Sequence, residues 1–246
     1  MLLDLAARVT VTPCDATTGR FDVVHHQLWA YDETGTLRER QAVRWYAPDD
    51  SGAELATRSP SRKVTQDWWQ PGELRIRDLT NAYTTSTWLI SSAQDNGRGD
   101  DTAALLNGLA TLALWYSPNR QQRSLALQIL ADANGLTAHP ATLDQAGRTG
   151  VALAATSEKD RTRHLLILDA GTGQILAYEA AALTPSGWRP QVYLLLLTRT
   201  HAPRRWWEPA ASTTNAPAQR QLFPRRQRVW LIYPYPLCLT DHTDLE

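Results

Sequence analysis

Asp144-Gln-Ala-Gly-Arg, Ser157-Glu-Lys-Asp-Arg and Asp169-Ala-Gly-Thr-Gly decide the fold, because each lies in a connection of only about five residues between two strand-forming segments. A parallel pair needs a crossover of about a dozen residues or more, so segments joined this closely are antiparallel neighbours. The segments are Leu136 to Leu143, Thr149 to Thr156, Arg163 to Leu168 and Ile175 to Leu183, with a fifth at Gln191 to Thr198. The reading is an antiparallel β-meander.

The later strands do not alternate cleanly. His164-Leu-Leu-Ile-Leu and Val192-Tyr-Leu-Leu-Leu-Leu place apolar groups on both faces of the sheet. Helices cover one face; the other must meet a further layer, a ligand or a partner. That second face is the candidate functional surface. Leu165, Ile167, Tyr178, Tyr193 and Leu195 are expected on it, together with Trp29 and Trp45 from the N-terminal part. Sheet and core packing is the competing explanation for both tryptophans.

The meander is preceded by two helical segments. The first opens at Asp100 or Asp101, whose carboxylates suit an N-cap, and carries Leu105, Leu106, Leu109, Leu112 and Ala113 at helical spacing. Ser117-Pro118 ends it and opens the second, with Pro118 at the first helical position and Leu125, Leu127, Ile129 and Leu130 before Gly135. Further toward the N-terminus, Leu2 to Val9 reads as a short helix. Phe21 to Tyr31 and Glu39 to Ala47 read as a hairpin turned by Asp32-Glu-Thr-Gly-Thr. Between Pro48 and Pro71 at most one further short strand is expected. Leu74, Ile76 and Leu79 suggest another, and a helix starts near Ser86. The fold class is α+β: an open antiparallel sheet packed against a helix pair over residues 1–200. Residues 201–246, punctuated by six prolines from Pro203 to Pro236, form an irregular extension.

Composition narrows the function by exclusion. With 25 basic and 25 acidic residues the net charge is zero, which gives no reason to expect nucleic acid. Cys14 and Cys238 stand alone, so no thiolate metal site exists; they are either unrelated thiols or, in an exported chain, a bridge from the tail to the N-terminal segment. The start lacks a signal sequence and no apolar run reaches a membrane span, so the chain as written is expected to be soluble, or the extracytoplasmic piece of something longer. His25 and His26 are adjacent, but strand neighbours point to opposite faces and cannot share one ligand. Asp169-Ala-Gly-Thr-Gly lacks the helix and lysine of a phosphate loop and is a turn. Neither G-x-S-x-G nor H-E-x-x-H occurs. No catalytic, cofactor-binding or metal-binding residue is expected, and the chain is read as a non-enzyme.

Leu2-Leu-Asp-Leu-Ala-Ala-Arg, Gly19-Arg-Phe-Asp-Val-Val-His-His-Gln-Leu-Trp, Trp45-Tyr-Ala-Pro-Asp-Asp-Ser-Gly, Ser117-Pro-Asn-Arg-Gln-Gln-Arg and the hairpin series from Asp144 to Glu179 resemble an uncharacterised actinobacterial family of membrane-anchored extracytoplasmic domains. Its members are often encoded near sigma factors and look like the lipoprotein-carrier half-barrels of the LolA, LppX and RseB type. The resemblance implies a half-barrel-like sheet and a cell-envelope location. It also implies a binding or sensing role, with a lipid-like ligand or a partner segment on the apolar face, or alternatively an interaction role with a sigma-factor regulator. Membrane association would come only through an anchor absent from this chain. The matching motifs are turn and core positions, so they carry shape and no reaction chemistry.

Overall fold

The computed structural model describes residues 1–11, 19–32, 34–74, 102–158 and 161–205. Helix α1 spans Leu2–Val11. A first run of strands follows: β1 (Phe21–Tyr31), β2 (Leu37–Tyr46), β3 (Gly52–Arg58) and β4 (Val64–Trp69). Then come α2 (Thr102–Ala113) and α3 (Arg120–Ala131). The second run is β5 (Thr137–Leu143), β6 (Thr149–Ser157), β7 (Thr162–Asp169), β8 (Ile175–Thr184) and β9 (Gly187–Ala202). All nine strands form one open antiparallel sheet in the order β4-β3-β2-β1-β9-β8-β7-β6-β5. Two meanders are thus joined along the β1–β9 seam. The last two residues of β9, Ala202 and His201, pair with Phe21 and Asp22.

The hairpins are tight because their corners share one device. Asp32 accepts from the N–H groups of Thr34 (3.0 Å) and Thr36 (2.8 Å). Asp144 does the same for Ala146 and Arg148 (2.9 Å each). In both, the fourth turn residue is a glycine with φ of 77°, Gly35 or Gly147, a conformation that side-chain-bearing residues resist.

α1 buries Leu2, Leu5, Ala6 and Val9 and packs along α3, where Ser124 Oγ donates to the Ala6 carbonyl at 3.1 Å. α2 lies across β6, β7 and β8. Together they form the main core with Val24, Leu28, Leu153, Leu166, Tyr178 and Leu194 of the sheet. Among the described residues, no helix is long and apolar enough to cross a membrane.

Three expectations need correction. The stretch from Pro48 to Pro71 holds two strands, not at most one: Gly52-Ala-Glu-Leu-Ala-Thr-Arg has few strand formers but is held between β2 and β4. Leu74 is not in a strand; it is a buried loop residue whose N–H donates to the Asp50 carbonyl. Pro118 does not open α3. Asn119 caps it, accepting from the Gln122 N–H at 3.0 Å while the Gln122 side chain accepts from the Asn119 N–H at 2.9 Å. The strand residues Ile76 and Leu79, the helix near Ser86, the caps Asp100 and Asp101, both cysteines and most of the 201–246 extension lie outside the described residues.

Candidate functional site

On the sheet face away from the helices, β6 to β9 carry Ala152, Ile167, Leu176, Ala177, Tyr193 and Leu195, flanked by Trp29, Leu165 and Leu197. A second apolar group, Phe21, Val23, Trp45 and Ala47 with Val43 and Leu55, continues this outer face over β1 to β3. Of the residues expected here, Trp29, Leu165, Ile167, Tyr193 and Leu195 fall in one cluster, with the Trp29 and Tyr193 rings 5.9 Å apart. Trp45 belongs to the neighbouring group. Tyr178 does not join either. It pairs with Leu166 on the helix side, is 1% exposed, and its hydroxyl bridges His164 Nδ1 (2.6 Å) and Asn107 Oδ1 (3.0 Å).

Part of this face is closed by the chain itself. The Gln145 N–H donates to Tyr193 Oη at 3.0 Å, and Arg148 Nη2 donates to the Leu176 carbonyl at 3.1 Å. The β5–β6 turn therefore arches over β7 and rests on β8 and β9. Asp144 holds the arch in shape: its side chain is wholly buried and pairs with Arg148 at 2.6 Å. Burial raises the Tyr193 hydroxyl above its ordinary pKa.

Where the arch stops, an open groove of about 560 Å³ remains on β5 to β7. Ala152, Ala154 and Leu165 form its apolar floor, while Thr137, His139, Thr142, Thr156, Glu158 and Arg163 supply polar groups around it. Its volume lies within the range of ligand clefts, but its polar content and openness are unlike the enclosed apolar cavity a hydrocarbon chain requires. Only Leu165 of the groove was expected. The signal available in sequence was the small-residue run Val151-Ala-Leu-Ala-Ala on β6, which reads equally as close packing.

The helix side of the N-terminal meander carries a different set. His26 (β1) and Glu54 (β3) are buried there, Arg40 and Arg44 (β2) are largely covered with side chains 12% and 11% exposed, and both guanidinium groups reach the Glu54 carboxylate. Burial alone would raise the Glu54 pKa, but Arg44 and Arg40 overcome it and hold it below its ordinary value. Burial, helped by Arg44 and Arg40, depresses the His26 imidazole well below its usual range. His25 points outward and meets the Gln41 side chain at 2.8 Å, so the two histidines face opposite sides. Among the described residues no group of three or more His, Cys, Asp or Glu side chains is placed to hold a metal ion.

No protein-family model and no curated protein matches the sequence. Among solved structures, MucB in complex with MucA(peri) aligns with a TM-score of 0.37 at 15% identity, over 82% of this chain and 56% of that one. The Pseudomonas aeruginosa MucA/MucB complex aligns at 0.36 and 16%, over 82% and 57%. A putative outer membrane lipoprotein-sorting protein domain from Vibrio parahaemolyticus aligns at 0.25 and 9%, over 80% and 90%. The chain spans little more than half the length of the MucB chains, and TM-scores of this size carry no inference about ligand or partner.

Proposed function

We propose that this chain is a non-enzymatic binding module that holds an extended segment of a partner protein in the outer-face groove of β5 to β7. The observation that carries the reading is the groove itself: an open trough of about 560 Å³ with a floor of Ala152, Ala154 and Leu165 and a rim of hydroxyl, imidazole, carboxylate and guanidinium groups. A peptide presents apolar side chains on one side and backbone N–H and C=O groups along its length, which such a trough satisfies; an acyl chain has no use for the rim. From the sequence resemblance alone we place the module at the cell envelope and its partner in sigma-factor-linked signalling. We take residues 1–200 as the binding domain and 201–246 as an extension.

The test is selection of displayed peptides against the purified chain, followed by affinity measurement on Ala154→Phe, which fills the groove floor. The selected peptides should lose about tenfold or more in affinity to that variant, equivalent to about 1.4 kcal/mol, while its melting temperature stays within about 2 °C of wild type. Selected peptides indifferent to Ala154→Phe would overturn the assignment of the site. A stoichiometric lipid found by native mass spectrometry and displaced by the same variant would replace the peptide with an amphiphile.

A further inference from the structure

The buried polar set on the helix side of β1 to β3 has more donors than its own residues can use. Glu54 contributes two carboxylate oxygens, and both are occupied, one by Arg40 and one by Arg44 Nε. Arg40 Nε, Arg44 Nη1 and both ring nitrogens of His26 are buried without a hydrogen-bond partner. Guanidinium is donor-only and a neutral imidazole offers one donor and one acceptor, so what is missing is acceptor capacity. Leaving such groups unmet in the interior costs roughly 1–3 kcal/mol each, and more where they are charged, so native structures rarely do so.

Register brings the groups together on one face of the sheet. His26 stands opposite Ala42, and Ala42 opposite Ala56, so two methyl groups form a floor with Arg40 and Arg44 on either side along β2. Both alanines are buried. Trp115 lies 4.0 Å from the Arg44 guanidinium and closes one side. Two guanidiniums set against one carboxylate leave a local excess of one positive charge. On the same face Asp67 of β4 stands opposite Glu54 and Arg58 of β3 opposite Arg40, both exposed, so these two added charges offset each other. β4, the strand beyond β3, is solvent-exposed along most of its length, so the set lies close to the open edge of the sheet.

We propose that this is an oxyanion-binding site, in which Arg40, Arg44 and His26 hold one sulfate-, phosphate- or carboxylate-type group over the Ala42 and Ala56 floor. The anion supplies acceptors only, matches the positive excess, and takes the bidentate geometry that guanidinium groups favour. The site lies on the opposite face of the sheet from the peptide groove and does not depend on it.

The test is titration of the full chain with sodium sulfate, and separately with sodium acetate, at constant ionic strength. Calorimetry should give one sulfate per chain, and 10 mM sulfate should raise the melting temperature by on the order of 5 °C. Acetate bound more tightly than sulfate would identify the natural occupant as a carboxylate. Arg44→Met, which keeps an apolar stem beneath Trp115, should weaken sulfate binding at least tenfold. Glu54→Gln, which removes the competing negative charge, should strengthen it. No binding of either anion to the unmodified chain would show that water meets these groups, and an equal response in Arg44→Met would show a general salt effect; either overturns the proposal. Where Arg44→Met does not fold, unchanged or weaker sulfate binding in Glu54→Gln overturns it instead.

Discussion

Replacing Asp144 by alanine should unfasten the arch that closes part of the outer face. Its carboxylate accepts from the N–H groups of Ala146 and Arg148, at 2.9 Å each, and from Arg148 Nε at 2.7 Å. Two backbone amides bonded to a charged acceptor contribute about 1.5 kcal/mol each. The ion pair adds less, about 0.5 kcal/mol, because the Arg148 side chain remains one-third exposed and water screens it. The expected loss is about 3.5 kcal/mol, or a melting temperature lower by roughly 7–14 °C for a chain of this size. Arg148 then loses the anchor that aims it at the Leu176 carbonyl, and Gln145 its placement against Tyr193. The apolar cluster around Ile167 and Leu195 should open and bind the dye ANS. Asp144→Asn keeps an acceptor for both amides and should lose only about 1–1.5 kcal/mol. Denaturant melts of the three proteins decide it. A loss under about 1 kcal/mol in Asp144→Ala, or an equal loss in both variants, would refute the account of the arch.

Burial pushes the Asp22 carboxyl up from 3.8 to about 6, against the opposing pull of His201. The folded chain therefore holds this proton more tightly than the unfolded one, so the group's contribution to stability is complete below the unfolded value and is lost as pH rises through about 6. Asp22→Asn should gain on wild type between about pH 4 and pH 7 in urea melts, and a constant difference over that range would contradict it. Two glycines should respond with opposite signs. A Cβ on Gly150 would lie 2.5 Å from the Leu168 carbonyl oxygen, so Gly150→Ala should cost about 2 kcal/mol. Gly108, inside α2 with nothing within 4 Å of its Cβ position, should gain about 0.5–1 kcal/mol as alanine. Thermal melts giving the reverse order would show that the packing of one site is misjudged.

How much of this was legible in sequence depended on whether the cause was local. The second meander follows from turn chemistry within five residues, and Asp144-Gln-Ala-Gly-Arg forms the corner its aspartate and glycine demand. β3 was invisible because its cause is remote: Glu54 sits in a strand through pairing with Arg44 across β2, and the alanines around it have no preference of their own. Tyr178 was grouped with Leu165 and Ile167 because apolar composition does not state register. Opposite Leu166, its side chain belongs on the helix face, and the register shift beside Leu168, which leaves Leu176 as an extra residue, breaks the simple alternation of β8. The groove was missed for a third reason. His139 and Thr142 border it only because the β5–β6 hairpin folds over the sheet, and that curl appears in contacts between residues nearly fifty apart, such as Gln145 with Tyr193.

The different use of the helix-side face in the two meanders also explains where the helices lie. Had β1 to β3 carried leucines in place of Arg40, Arg44 and Glu54, α2 would find equivalent apolar ground on either half of the sheet. Buried ion pairs add little net stability compared with well-packed hydrocarbon, but they forbid an apolar helix face from settling over them, because it would leave the charged groups without water or partners. α2, whose buried side is Ala103, Leu106, Leu109, Ala110, Leu112 and Ala113, accordingly lies over β6 to β8. The residues after it change character where they cross to the other half: Trp115 stacks on Arg44 at 4.0 Å and edge-on against Trp69, and Tyr116 stands edge-on to Tyr46. Aromatic rings can cover a guanidinium favourably where leucine cannot. The charged patch thus fixes the position of the helix layer through exclusion, and leaves over β1 to β3 the donor-rich interior in which an anion would find its partners.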